Sequence, residues 1–263
     1  MLLTMSVVFI SLGAVVGVMA GLLGIGGGLI IVPSLLYLLP LLGVPPVLAM
    51  PMALATSLAC IIITSSSSAF NHIKLGNIER LAIVSLLPGV IVGGFLGTFV
   101  AERVPIQWLP KVFGVIVLCL GLQMLLFAQA KVERRMPSAP FTAFCGLVIG
   151  LVSTLAGIGG GSLSVPFLSR HGVEMRKAVG SSSVCGGAIA LSGMFGFVLH
   201  GMQAEDLPKF SLGYVYLPAL FAIAFTSVCT TRFGAMLATQ VSTRHLKRFF
   251  AIFLMCVAAT MLF

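Results

Sequence analysis

The feature that most constrains this chain is where its charges fall. Runs of about twenty apolar residues follow one another along the 263 positions, and nearly all the charged side chains lie between those runs. A hydrocarbon core is roughly 30 Å thick, and about 20 helical residues cross it. Only 8% of the residues are charged and 59% are apolar, whereas soluble domains carry roughly a quarter charged residues. A soluble fold would expose an apolar patch far beyond the few hundred Å² normally tolerated. In lipid the backbone must satisfy its own hydrogen bonds, so such runs read as helices. The alternating ten-residue segments of an outer-membrane barrel are absent. The chain therefore reads as an all-α integral membrane protein with about eight transmembrane helices.

The pattern places these helices at about 5–23, 47–70, 81–101, 107–130, 140–157, 178–200, 211–233 and 244–262. Met1 to Ser6 lack the positive stretch of a signal peptide, so the first run reads as a retained helix. The first and fifth helices each run into a glycine-rich break, followed by a short apolar piece at about 29–39 and 162–169. Gly24-Ile25-Gly26-Gly27-Gly28 with Pro33 recurs 133 positions later as Gly157-Ile158-Gly159-Gly160-Gly161 with Pro166. Ala53 to Cys60 recurs at a shift of 125 as Ala178 to Cys185. Gly97, Val104, Leu109, Phe113, Cys119 and Met124 meet Gly234, Val241, Leu246, Phe250, Cys256 and Met261 at a shift of 137. These matches imply two homologous four-segment repeats with glycine-broken first helices, 1–130 and 140–263. The loop 131–139 joins them into one membrane domain.

The net charge of +9 would suggest nucleic acid in a soluble protein. Between apolar runs it reads instead as membrane-surface anchoring, with attraction of an anionic solute as a second reading. If every loop alternates between faces, nine Lys and Arg fall on one side and six on the other, which leans toward both termini outside. If the breaks are re-entrant, each half has an odd number of crossings and the repeats are inverted. Both arrangements remain open at this level. The six cysteines lie inside apolar runs without a CxxC pair, which favours small buried apolar residues over metal ligands. No metal and no cofactor is expected.

The glycine breaks are the first candidate site. A helix that restarts after Gly24, Gly26, Gly27 and Gly28, or after Gly157, Gly159, Gly160 and Gly161, presents free N–H groups and a positive dipole end. Glycine lets a solute approach that backbone closely. The competing reading is close helix packing by small residues. Hydroxyl clusters are the second candidate: Thr56 and Ser57, Ser181 to Ser183, and Ser162 and Ser164 after the second break. Hydroxyls can donate to an oxyanion without adding charge, though they also serve helix packing. No carboxylate is expected inside a helix, where cation transporters commonly keep one. Arg232 could hold an oxyanion bidentately, or snorkel from a helix end. His72 and His200 are candidate proton relays or surface histidines.

Together the paired glycine breaks with trailing prolines, Ala53-Leu54-Ala55-Thr56-Ser57-Leu58 early in the next helix, and a glycine-containing third helix resemble the sulfite exporter TauE/SafE family of membrane permeases. The resemblance covers essentially the whole chain. It implies seven or eight spans arising by duplication, and transport of sulfite, sulfonates such as sulfoacetate, or other organosulfur anions. On that basis the chain is expected to be a non-enzymatic secondary transporter or facilitator in a bacterial inner membrane, working on a small anion with proton or sodium coupling and without nucleic acid. The alternatives are an anion channel, a sulfur-relay protein using Cys60 and Cys185, and an intramembrane serine hydrolase with Ser162 activated by His200. The last has no G-x-S-x-G elbow.

Overall fold

The computed structural model describes residues 2–23, 27–126, 136–240 and 243–262. Gly24 and Gly26 lie outside the described residues. The first helix, α1 (Leu2–Leu23), is followed by a short helix, α2 (Gly28–Leu41), and then by three long ones: α3 (Pro46–Lys74), α4 (Arg80–Arg103) and α5 (Leu109–Leu126). The same succession follows in α6 (Ala139–Leu155), short α7 (Gly161–Arg170), α8 (Met175–Gly201), α9 (Leu217–Gln240) and α10 (Thr243–Leu262). Four stretches, Pro46–Lys74, Arg80–Arg103, Met175–Gly201 and Leu217–Gly234, are long and apolar enough to cross a membrane, and shorter apolar helices accompany them. This is an all-α membrane architecture.

The sequence places these elements well, with two corrections. The helix expected at 211–233 begins at Leu217, because a small hairpin, β1 (Ser211–Leu212) and β2 (Val215–Tyr216), comes first. Its turn uses Gly213 at φ +53°, after Phe210 at φ +67°, conformations that no helix accommodates. Glu102, expected in a loop, instead lies in the last turn of α4.

Several boundaries follow from local chemistry. Pro45 precedes α3 and Pro46 opens it, where a missing N–H is harmless. At the end of α3, Gly76 at φ +69° takes the left-handed position, Asn77 N–H donates to the His72 carbonyl at 2.9 Å, and Gly76 N–H donates to Ile73 at 3.1 Å. The same pair of bonds ends α6. Ile158 N–H donates to Ser153 at 2.9 Å, Gly157 N–H donates to Thr154 at 3.0 Å, and Gly157 holds φ +57°. The last carbonyls of α6 are thus satisfied among buried residues.

Contacts between helices set their directions. In α4 and α6, Leu86 meets Gly146, Val90 meets Gly150, and Gly97 meets Leu151 and Thr154, so the two run parallel. In α1 and α9, Ile223 meets Gly13, Ser227 meets Gly17, and Gly234 meets Val18 and Gly21, again parallel. Helices α3 and α8 cross antiparallel, with His72 beside Gly180, Ser65 beside Gly186 and Leu58 beside Gly193. Helices α5 and α10 are antiparallel through Gly114 with Met261 and Gly121 with Ala251. Thr56 and Cys60 of α3 reach Tyr216 and Leu220, so α9 runs with α3. Consequently α1, α3, α5 and α9 share one direction, and α4, α6, α8 and α10 share the other.

The short helices make this possible. Helix α2 starts beside Ser57 and Ile61, halfway along α3, and ends four residues before α3 begins. Helix α7 starts near Gly186 and Ile189, halfway along α8, and ends four residues before α8. Each short helix therefore carries the chain from mid-depth back to the side where its long helix began. Strict alternation of loops between faces does not hold. Helix α3 is the core, and every residue from Met52 to Leu58 has no exposed surface.

Candidate solute site at the glycine breaks

The two breaks meet beside the crossing of α3 and α8. A Cβ at Gly28 would collide with the Gly157 carbonyl oxygen, and the Ser57 hydroxyl donates to that same oxygen at 2.8 Å. A Cβ at Gly186 would collide with the Gly159 carbonyl. Glycine is needed here for close backbone approach, and at Gly160 for a left-handed φ of +68° at the N-cap of α7. Gly157, Gly159 and Gly160 thus sit between α3 and α8, with Gly27 and Gly28 against them or against α1.

Around the second break lies a set of hydroxyls without partners. Ser153, Thr154, Ser162 and Ser164 each have a buried side-chain oxygen with no hydrogen bond, and Ser153, Thr154 and Ser164 have no exposed surface. Buried polar atoms are almost always paired, so four orphans within twelve residues mark a place built for something else. The N-cap residue Gly160 offers no side chain to the first turn of α7, whose leading N–H groups point the positive end of the helix inward. Hydroxyl and amide donors, with no carboxylate, suit an anion.

The other expected hydroxyls have different tasks. Thr56 accepts the Tyr216 N–H at 3.0 Å, and Ser181 accepts the Glu79 N–H at 2.9 Å. Tyr216 and Glu79 stand immediately before α9 and α4, so each hydroxyl anchors a helix start in the opposite half. Ser182 donates to the Val179 carbonyl in its own helix at 2.8 Å. Ser183 pairs with Ser68 at 2.9 Å across the α3–α8 crossing. Arg232 is exposed on α9 and is not among the neighbours of the break glycines.

His72 and His200 lie at opposite ends of the α3–α8 pair. His200 is level with the end of α8 and His72 with Gly180, about 20 residues or roughly 30 Å apart along the helix. His200 Nε2 lies 3.0 Å from Glu102 Oε2, with the Phe99 ring edge-on at 4.6 Å. In the adjoining hairpin, burial and then the Glu102 carboxylate push the Tyr214 phenol above its usual pKa. Ser162 and His200 are thus not brought together as a nucleophile and base. Cys60 and Cys185 are buried in separate apolar clusters, so no thiol pair forms. Among the described residues no cluster of three metal-ligating side chains occurs.

At the end where α7 meets α8 a cleft of about 270 Å³ is lined by Glu79, His171, Glu174 and Lys177 with Met136 and Val173. Lys177 Nζ bridges to Glu79 at 3.3 Å across it. Ser153 and Thr154 were missed from sequence because a hydroxyl inside an apolar helix usually bonds back to its own turn. Their place in the turn preceding a glycine break was the available signal.

A family model for "Sulfite exporter TauE/SafE" matches residues 9–261. The chain belongs to the TauE/SafE family. A probable membrane transporter protein of Haemophilus influenzae is 41% identical over 250 residues, covering 95% of each chain. A probable membrane transporter protein of Methanocaldococcus jannaschii is 27% identical over 240 residues, covering 90% of this chain and 88% of the relative. The same description applies to a Bacillus subtilis relative, 25% identical over 276 residues. This TauE/SafE member is a multi-pass membrane transporter protein.

Proposed function

We propose that this TauE/SafE protein carries a small sulfur oxyanion, such as sulfite or a sulfonate, through a site at its glycine breaks. One observation carries the reading. Unpartnered Ser153 and Ser164 hydroxyls flank the helix start at Gly160, and Thr154 and Ser162, also unpartnered, stand in the adjoining turns. An anion would satisfy those donors and the dipole together. The reading contains no catalytic step, and a proton or sodium gradient would supply any energy.

The two halves act as inverted repeats in this proposal. Support comes from residue-level correspondence: Gly146 on Leu86 and Gly13 on Ile223 differ by the same shifts, 133 and 137, that the sequence matches give. Thr56 with Tyr216 and Ser181 with Glu79 correspond in the same way. Rocking of one half against the other around the breaks would give alternating access.

The helix directions also re-sort the charges. Lys74, Arg80, Arg170, Arg176, Lys177, Arg232 and Arg248 fall toward one end, and Arg103, Lys111 and Lys209 toward the other. Among the described side chains this is seven against three, and by the positive-inside rule the basic end would face the cytoplasm of a bacterial inner membrane with both termini outside. The test is uptake into proteoliposomes of radiolabelled sulfite, sulfoacetate, thiosulfate and sulfate, with and without proton and sodium gradients. Saturable uptake of sulfite or sulfoacetate is expected, and uptake of none would remove the proposal.

A further inference from the structure

The two breaks match in sequence but not in what surrounds them. At the repeat shift of 133, Ser153 corresponds to Ala20, Ser162 to Leu29 and Ser164 to Ile31. Every hydroxyl of this set is apolar in the first half. Leu29 and Ile31 are 1% and 2% exposed and belong to the main apolar core. Packing follows the chemistry. All residues from Gly28 to Pro33 at the start of α2 are buried, whereas in α7 only Ser164 and Leu168 are.

Ser153 and Ser164 converge on one point. A Cβ at Gly160 would stand 3.5 Å from Ser153 Oγ and 3.6 Å from Ser164 Oγ. Both oxygens are buried and unpartnered. The nearest atom to that point is the Ile189 Cδ1 methyl of α8 at 2.5 Å, so the far end of one flexible apolar side chain, two hydroxyl donors and the first turn of α7 bound the place where Gly160 carries no side chain. Thr154 turns the other way, toward Gly193 of α8.

We infer that this protein holds one anion, not two: Ser153 and Ser164 over Gly160 form the single oxyanion cup, and the first break is a sealed copy that serves as scaffold. This rests on the transporter reading above and deepens it. The hydroxyls donate to two oxygens of the anion, and the α7 amides donate to the same head group. A second anion at Gly27 and Gly28 would find Leu29, Ile31 and Val16, the Gly157 carbonyl oxygen, and a Ser57 hydroxyl already donated to that oxygen, and a charge without partners is not buried.

Calorimetric titration of the purified full chain with sulfite, and separately with sulfoacetate, tests this. One anion per chain is expected. Ser153→Ala and Ser164→Ala should each weaken binding by about tenfold or more, the effect of losing a hydrogen bond to a charged group. The counterparts Ala20→Ser and Ile31→Val should stay within about twofold of the unmodified protein, with thermal unfolding checking that every variant is folded. Two anions per chain, or unaltered binding by both serine variants, would overturn the inference. If those serine variants bind normally while the unmodified protein still transports, the single cup fails and the transporter reading stands. If the unmodified protein neither binds nor carries either probe, both fail.

Discussion

Gly157 and Gly160 hold backbone conformations that a side chain would strain, at φ +57° and +68°. Around Gly157 the space is also taken, because a Cβ would stand 2.6 Å from Val32 Cγ2 and 3.0 Å from Leu54 Cδ2. Gly157→Ala should therefore lower stability by more than the ~1 kcal/mol of left-handed strain alone, and purified protein should show it as a reduced melting temperature and lost uptake. Thr56 and Ser181 give a contrasting case. Each accepts the N–H of the residue before a helix in the other half, so Thr56→Val and Ser181→Ala should destabilise by about 1–3 kcal/mol, the cost of leaving a buried donor unpaired, seen in thermal unfolding, and act on affinity only through that loss. A large affinity loss with unaltered melting temperature would return them to the solute site. Thr56 and Ser181 looked like ligand residues in the sequence because their partners, Tyr216 and Glu79, are 160 and 102 positions away. A hydroxyl's partner across the fold cannot be read from its neighbours in the chain.

The ten helices were mostly legible because lipid leaves the backbone little choice. The breaks were legible because glycine clusters disfavour a continuous helix. What stayed hidden was direction. Nothing in the apolar run from Gly28 to Leu41 says whether it continues α1 or turns back, since that depends on Gly28 lodging beside Ser57 and the Gly157 carbonyl. The start of α9 was hidden too, because residues 211–216 are apolar enough to pass for helix until Phe210 and Gly213 adopt positive φ. Close contact between long helices is the corresponding feature at this scale. Gly89, Gly93, Gly146 and Gly150 put α4 and α6 backbone to backbone. Gly150→Leu should force them apart and abolish a folded, monodisperse protein, and Gly17→Leu should do the same through α1 and α9. Size-exclusion profiles in detergent check both. Normal profiles for both would mean that these contacts do not hold the pairs together.

Across the whole molecule the short helices set which ends lie together, and the proposed orientation puts the basic end inside the cell. A charged, membrane-impermeant maleimide applied to intact cells should label Lys111→Cys and Lys209→Cys, and should label Lys74→Cys and Lys177→Cys only after the membrane is opened. The reverse pattern would invert the topology. The described residues of the glycine breaks lie halfway along α3 and α8, beside the crossing that also holds Ser65 and the Ser68–Ser183 pair. In the proposed function a small oxyanion of sulfur is held there. The most direct measurement is uptake of radiolabelled sulfite and sulfoacetate into proteoliposomes, comparing the unmodified protein with folded, inserted Ser164→Ala and Gly160→Ala. Saturable uptake by the unmodified protein is expected, with a raised KM for Ser164→Ala and no uptake by Gly160→Ala. Equal uptake by all three proteins would contradict that function.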